Sequence, residues 1–234
     1  MSADALTASP IPAPPEALLA ATLPEKGAGL VEPALDLEAW VLSEILAPDR
    51  PLSIYEHEHL RPPSQGGDFD VRLGFLWCTE VERRSGHRTL GTCQLGEPTG
   101  RAWAAAQRRQ QLTEWFGEVP TFLIVLDALH ASHALKTGRP QDLLAVVDHE
   151  LCHAGIRRDR YGVPRFSERT GEPQWEVRRH DVEQFVGPVR RWGLEATGMS
   201  EMAQAIDDVR ELGPEMAPAT TDGLCGTCKS PITP

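Results

Sequence analysis

Apolar residues recur at helical spacing in several segments of the chain, and each of these segments predicts an α-helix. In the first segment the apolar residues from Leu37 to Leu46 fall on one face, and Pro48 closes the helix. In the third, Pro140 occupies a favoured first helical position and an apolar stripe continues to about Ile156. The predicted helices cover residues 36–47, 101–116, 140–156, 174–195 with a kink near Pro188, and 199–212.

Other segments are rich in β-branched and apolar residues without helical spacing, and these predict strands. Residues 71–82 and 89–95 are expected to form a β-hairpin with Ser85-Gly86 as its turn. Residues 121–129 form a continuous apolar run, which is typical of a largely buried strand. The mixture of long helices and short strands predicts an α+β fold, with a small β-sheet packed on the helix that begins at Pro140.

Composition divides the chain into three parts. Residues 1–35 are rich in Ala and Pro, so we expect a flexible tail that cannot bury enough apolar surface to offset its ordering entropy. Residues 36–212 are predicted to form one compact domain. Residues 213–234, which contain the sequence Cys-Gly-Thr-Cys, are expected to be a second flexible tail.

Charge and length exclude several classes of protein. With 23 basic and 34 acidic residues among 234, the formal net charge of −11 argues against a nucleic-acid partner. No stretch reaches the roughly 18 apolar residues of a membrane span. The first residues have no basic side chain before Lys26 and are interrupted by four prolines between positions 10 and 15, unlike a secretory signal. We therefore expect a cytoplasmic protein, without a membrane partner and with reduced cysteines.

The predicted helix at 140–156 contains the sequence His149-Glu150-Leu151-Cys152-His153, an H-E-x-x-H motif. Positions i and i+4 of a helix stand one above the other, so both imidazoles can bind one zinc ion. Glu150 would then lie beside the open metal position. There it can act as general base toward a water whose pKa the metal lowers.

A catalytic zinc site usually takes three protein ligands, and the sequence offers two candidates for the third. His180 and Glu183 share one face of the predicted helix at 174–195, so one of them could bind the metal while the other supports it. The affinity of imidazole for zinc favours His180, and Glu183 remains the alternative.

The remaining cysteines and histidines carry weaker indications. Cys225 and Cys228 are half of a zinc-ribbon ligand set, and a solvated tail is the simpler expectation for them. Cys152 is expected to pack rather than bind metal, because its side chain points away from the two motif histidines. Cys78 and Cys93, within predicted strands, are expected to be buried, and His57 and His59 to lie in a solvated loop or strand edge.

The segments LLAVVDHELCHAG and RRHDVEQFVGPVRRWG resemble the phage metallopeptidase family of small zincin-type domains, and the resemblance covers roughly residues 36–195. More distantly, HELCHA is similar to the SprT-like minimal zincins. These resemblances imply that His149, His153 and His180 bind zinc and that Glu150 is the base. They also imply that the cytoplasm is that of a bacterial or phage-infected cell. SprT-like proteins that act on DNA-bound proteins add a zinc ribbon and basic surfaces, whereas this chain is acidic with a single CxxC. Proteolysis linked to DNA is therefore not expected.

Together these features predict a zinc-dependent metallopeptidase that acts on a peptide or protein substrate. The strand at 121–129 would lie beside the motif helix and, with an open edge, would pair with an extended peptide. Two alternatives stay open. One is a zinc-stabilised, non-catalytic binding module of phage or prophage origin, and the other is a metal-dependent hydrolase of non-peptide substrates.

Overall fold

The computed structural model of the chain describes residues 9–21, 29–80, 83–84, 87–180, 186–196, 198–214 and 223–228. Structural statements below refer to these residues. The predicted turn at Ser85-Gly86 and the alternative ligand Glu183 lie outside them. Within them, no helix is long and apolar enough to cross a membrane.

A mixed β-sheet forms the centre of the fold. Within the described residues its strand order is β1-β2-β5-β4-β3, and β8 pairs with β4 outside this path. β2 and β5 are parallel, as are β4 and β8, whereas the other neighbours are antiparallel. A separate ribbon is made by β6 and β7. The strands are β1 Val31–Pro33, β2 Leu73–Cys78, β3 Arg83–Arg84, β4 His87–Leu95, β5 Phe122–Asp127, β6 Ala154–Ile156, β7 Trp175–Val177 and β8 Leu224–Cys225.

Helices pack on both faces of this sheet. Because most of its strand pairs are antiparallel, the predicted α+β class is confirmed. A π-helical turn, Leu42–Leu46, continues α2, and the segments Tyr55–Leu60 and Pro63–Gln65 are 3₁₀-helical. The α-helices are α1 Glu16–Ala20, α2 Leu35–Val41, α3 Ala102–Phe116, α4 Ala128–Lys136, α5 Pro140–His153, α6 Val186–Ala196 and α7 Ser200–Leu212.

The central strand β5 is buried on both faces, which explains its continuous apolar run. Phe122, Ile124 and Leu126 belong to the main core, which also contains apolar residues of α2, α4 and α5. The alternate residue Leu123 packs with Leu112 of α3 in a smaller core on the opposite face. A strand covered on both sides needs apolar residues at every position.

The predicted pairing of residues 71–82 with 89–95 is wrong. β2 pairs with β5 instead, and β5 lies between β2 and β4. The hairpin that exists joins the two-residue strand β3 to the start of β4. Local turn chemistry could not show that β5 inserts between β2 and β4, because that pairing joins segments distant in the chain.

Two predicted helices differ from the structure at their ends. α5 ends at His153, three residues earlier than expected, because Ala154–Ile156 pairs with β7. The segment predicted as one helix from residue 174 begins instead with β7, and the helix described in its second half is α6, Val186–Ala196. The non-helical residue inside α6 is Gly193, with φ of 83°, rather than the predicted Pro188.

Part of the predicted N-terminal tail packs on the domain. Leu18 of α1 is 1% exposed and belongs to the main core, and β1 extends the sheet. The indole Nε1 of Trp40 donates a hydrogen bond to the carbonyl oxygen of Ser9 over 3.0 Å. Residues 9–21 and 29–35 therefore differ from the expected flexible segment, whereas residues 1–8 and 22–28 lie outside the described part of the chain.

Candidate metal centre

The last turn of α5 brings the two motif histidines together. His149 and His153 are four residues apart on the helix, and their Nε2 atoms lie 3.3 Å from each other. Their rings are inclined at 74°, with centroids 5.0 Å apart. Both nitrogens therefore point to the same place, as the helical spacing predicts.

The orientation of the His153 ring is held by Arg178, the residue that follows β7. His153 Nδ1 donates a hydrogen bond to the carbonyl oxygen of Arg178 over 2.7 Å, and the backbone N–H of Arg178 donates to the carbonyl oxygen of His153, also over 2.7 Å. Because Nδ1 carries the proton in the neutral ring, Nε2 keeps its lone pair. A hydrogen bond of this kind is the usual support of a histidine that binds metal.

His180 lies beside both motif histidines. Its ring is stacked on that of His153 at 20°, with centroids 5.5 Å apart, and is perpendicular to that of His149 at 5.3 Å. It stands in the irregular segment that follows β7 rather than on the predicted helix. The rings of the three histidines singled out from the sequence are therefore neighbours. His180 is not, however, among the described residues whose donor atoms converge within 4.8 Å of one another.

Two further candidate ligands, Cys225 and Cys228, were assigned to a solvated tail by sequence reasoning. Cys225 Sγ lies 3.4 Å from His153 Nε2, and Cys228 Sγ lies 3.5 Å from His149 Nε2. Cys225 is fully buried, because β8 pairs with β4 beside the end of α5. The CxxC spacing was the available indication that these cysteines bind a metal. The sequence could not show that they lie beside the motif histidines, because this depends on contacts between distant parts of the chain.

The donor atoms of these four residues fit a zinc ion. All four, from His149, His153, Cys225 and Cys228, lie within 4.8 Å of one another. Zn–N bonds of about 2.0–2.1 Å and Zn–S bonds of about 2.3 Å in a tetrahedron require N–N and N–S separations of about 3.3–3.6 Å. The N–N separation of 3.3 Å and the closest N–S separations of 3.4 and 3.5 Å match these values.

Glu150 is buried beside this cluster. Its side chain has no exposed surface, and the hydroxyl oxygen of Thr227 lies 3.3 Å from its Oε2. Burial raises the pKa of Glu150, while Cys225, His153 and Thr227 act in the opposite direction. Burial and the neighbouring Glu150 raise the pKa of the Cys225 thiol. A bound divalent cation would favour the deprotonated thiol and so oppose this shift.

His149 is in the protonation state that a metal requires. Burial, together with the neighbouring His153 and His180, lowers the pKa of His149 to about 4. The imidazole is therefore neutral at pH 7, and a neutral imidazole has the lone pair that coordinates a metal.

The other histidines and cysteines considered in the sequence analysis lie outside the cluster of converging donor atoms. His57, expected in a solvated segment, is 1% exposed, and its Nε2 lies 3.5 Å from Cys152 Sγ on α5. His59 Nε2 donates a hydrogen bond to the carbonyl oxygen of Ala154 over 2.7 Å. The prediction for His57 is wrong because tertiary contact with α5 buries a segment that looks polar in sequence. Cys78 and Cys93 are buried in β2 and β4, as predicted.

The predicted peptide-binding edge is absent from β5. This strand is paired on one side with β2 and on the other with β4, so neither edge is open. The outer strand beside α5 is β4, whose outer edge pairs with β3 and β8. The open edge on which peptide pairing by residues 121–129 was conditional is therefore not present.

Comparison with known proteins gave one family. The model of the family described as "Putative phage metallopeptidase" matches residues 38–210. This match includes α5, β7 and the three histidines, and it ends before Cys225 and Cys228. The comparisons with curated proteins and with solved structures gave no match.

Proposed function

Since the chain belongs to this phage metallopeptidase family, we propose that it is a zinc-dependent peptidase in which Glu150 is the general base. The observation that carries the proposal is the convergence of His149 and His153, whose Nε2 atoms lie 3.3 Å apart on either side of Glu150 in the chain. This is the arrangement that an H-E-x-x-H helix needs to hold a metal beside a carboxylate.

The proposed roles follow from position. His149, His153 and His180 would hold the zinc ion. Zinc bound there would polarise a peptide carbonyl and lower the pKa of a water. The carboxylate of Glu150 takes the proton of the attacking water and returns it to the leaving amine. Burial raises the pKa of Glu150, which suits a group that accepts and then releases a proton near neutral pH.

The proposed substrate is a peptide or protein. The net charge of −11 disfavours a nucleic-acid partner, and hydrolysis needs no other cofactor than the metal. Among the described residues, the strand beside Glu150 is β4, whose Gly91 lies directly against the Glu150 side chain. The outer edge of β4 is covered at Gly91 by β8, so a peptide could reach this edge only after β8 had left it.

A second function has one observation in its favour. Two histidines and two cysteines form a complete tetrahedral set, and closed sets of this kind are typical of structural zinc sites. In that case the chain would be a zinc-stabilised binding module, in which ligand replacement unfolds the domain and replacement of Glu150 changes little.

The experiment compares Glu150→Gln with wild type in the zinc-loaded full chain, using a quenched fluorescent peptide library. Because Cys225 and Cys228 cover the site, each of the two proteins is also prepared and assayed with the substitutions C225S and C228S added. We expect Glu150→Gln to keep its zinc and to lower hydrolysis by about 10²–10⁴-fold in the more active background. Glu114→Gln, on the exposed face of α3, is the matched control.

Two results would contradict the proposal. Hydrolysis that survives Glu150→Gln unchanged would remove Glu150 from the mechanism. Absence of peptide hydrolysis from zinc-loaded protein in both backgrounds would favour the binding module instead.

A further inference from the structure

We propose that the metal centre has two alternative ligand sets that share His149 and His153. The closed set is completed by Cys225 and Cys228, and the open set by His180 with one position left for water. The first is the arrangement in the structure, and the second is the one that catalysis needs. The catalytic meaning of the open set rests on the proposed function, but the existence of two sets can be tested without it.

The cysteines belong to a short segment, Gly223–Cys228, which we call the C-terminal strap. The strap lies along β4: the backbone N–H of Gly226 donates to the carbonyl oxygen of Gly91 over 2.6 Å. The backbone N–H of Cys93 donates to Thr227 Oγ1 over 2.7 Å, and this hydroxyl lies 2.9 Å from the carbonyl oxygen of Cys93. These bonds place the two thiols at the metal-binding nitrogens.

The strap is shaped to present sulfur to a cation. The backbone N–H groups of Thr227 and Cys228 donate to Cys225 Sγ over 3.2 and 3.3 Å. Hydrogen bonds to a sulfur favour its thiolate form, which is the form that binds metal. Gly226 is required at its position, because a Cβ atom there would overlap Thr92 Oγ1 of β4.

The strap also covers the proposed general base. Thr227 lies against the Glu150 carboxylate, and Glu150 has no exposed surface. Two thiolates together with two imidazoles fill a tetrahedral metal, so no position is left for water or a peptide carbonyl. With the strap in place, the closed set therefore excludes the reaction that Glu150 would serve.

His180 is placed to complete the open set. The reciprocal hydrogen bonds between His153 and Arg178 hold the chain just before His180, and the imidazole of His180 stacks on that of His153. The strap is held by the two-residue strand β8, by the hydrogen bonds of Gly226 and Thr227 to β4, and by burial of Cys225. Local opening of so short a segment breaks few contacts compared with unfolding of the domain. Departure of the strap would vacate two metal positions beside His180.

The test measures zinc per chain by elemental analysis in four full-length variants: H180A, C225S/C228S, the combined triple variant, and the control C78S. Cys78 is buried at the far side of β5 from β4 and is not in the cluster. Two interchangeable sets predict one zinc ion in H180A, in C225S/C228S and in C78S, and loss of zinc from the triple variant. With cobalt in place of zinc, the thiolate-to-cobalt charge-transfer band should persist in H180A and vanish in C225S/C228S.

Other patterns would overturn the proposal. Loss of zinc from H180A alone would show that the cysteines do not bind the metal. Because a buried serine hydroxyl is costly at Cys225, C225A/C228A is measured as well. Loss of zinc from both cysteine variants would show that the thiols are indispensable, so that no open set exists.

Peptide hydrolysis is a separate readout. If the zinc pattern is as predicted and C225S/C228S still hydrolyses no peptide, the two ligand sets stand and the proposed peptidase function fails. If C225S/C228S keeps its zinc and hydrolyses peptides faster than wild type, the result supports both the two ligand sets and the peptidase function.

Discussion

Gly91 of β4 lies directly against the side chain of Glu150 on α5. A Cβ atom added at Gly91 would be 2.8 Å from Glu150 Cγ, 2.9 Å from its Oε1 and 2.8 Å from Val146 Cγ1. The missing side chain therefore lets the motif helix approach the sheet closely, and this approach brings Glu150 beside the strand that also holds the strap.

Gly91→Ala should destabilise the domain by about 1–3 kcal/mol, because the added methyl group must displace Glu150 and Val146. The free energy of unfolding in urea measures this cost. In a double-mutant cycle, the cost of Gly91→Ala should be lower in a Glu150→Ala background, where two of the three close atoms are gone. An equal cost in both backgrounds would show that Gly91 and Glu150 do not interact.

Local periodicity was sufficient to predict the parts of the site that lie on one element. His149 and His153 stand one helical turn apart, so their convergence follows from the helix alone. The continuous apolar run of β5 likewise predicted a strand buried on both faces. His180 was singled out as a zinc ligand, but its position after β7 depends on strand pairing that the sequence does not show.

Long-range contacts account for what was missed. Cys225 lies 72 residues from His153 in the chain, and no local pattern relates a CxxC to a helix at that distance. His57 stands in a polar sequence and is buried only because its 3₁₀-helical segment packs on α5. Tertiary packing can thus bury a residue whose neighbours in the sequence are polar.

His57 should make the stability of the domain depend on pH. Burial, and to a smaller extent the neighbouring His59, lowers the pKa of His57 from 6.5 to about 4. The unfolded chain therefore binds a proton between pH 6.5 and about 4 while the folded protein does not. The contribution of His57 is complete above pH 6.5, and up to about 3 kcal/mol of it is lost as the pH falls toward 4.

Urea unfolding of wild type and His57→Gln at pH 7 and pH 4.5 checks this dependence, since glutamine does not titrate in this range. The loss of stability between the two pH values should be smaller in the variant. Equal losses would mean that other groups cause the acid sensitivity.

Asp127 joins the end of β5 to both β4 and α4. Its carboxylate accepts hydrogen bonds from the backbone N–H groups of Leu129 and His130 over 2.9 and 3.2 Å and forms an ion pair with Arg88 at 2.7 Å. The Asp127 side chain has no exposed surface. Asp127→Ala removes the helix cap and leaves Arg88 without this partner, so it should cost about 2–4 kcal/mol of unfolding free energy.

Asp207 is the matched control for this change, because it forms an ion pair with Arg210 while remaining 61% exposed on α7. Asp207→Ala should cost at most about 1 kcal/mol, as is usual for surface pairs. Similar costs for the two variants would contradict the role assigned to Asp127.

Metal content shows whether the motif histidines of α5 hold a metal ion. Elemental analysis of protein purified without chelator should find one zinc ion per chain in wild type and none in His153→Ala, which removes the nitrogen shared by both ligand sets. His133→Ala, at an exposed position of α4, should keep its zinc. Folded wild type without metal, or zinc retained by His153→Ala, would contradict the account.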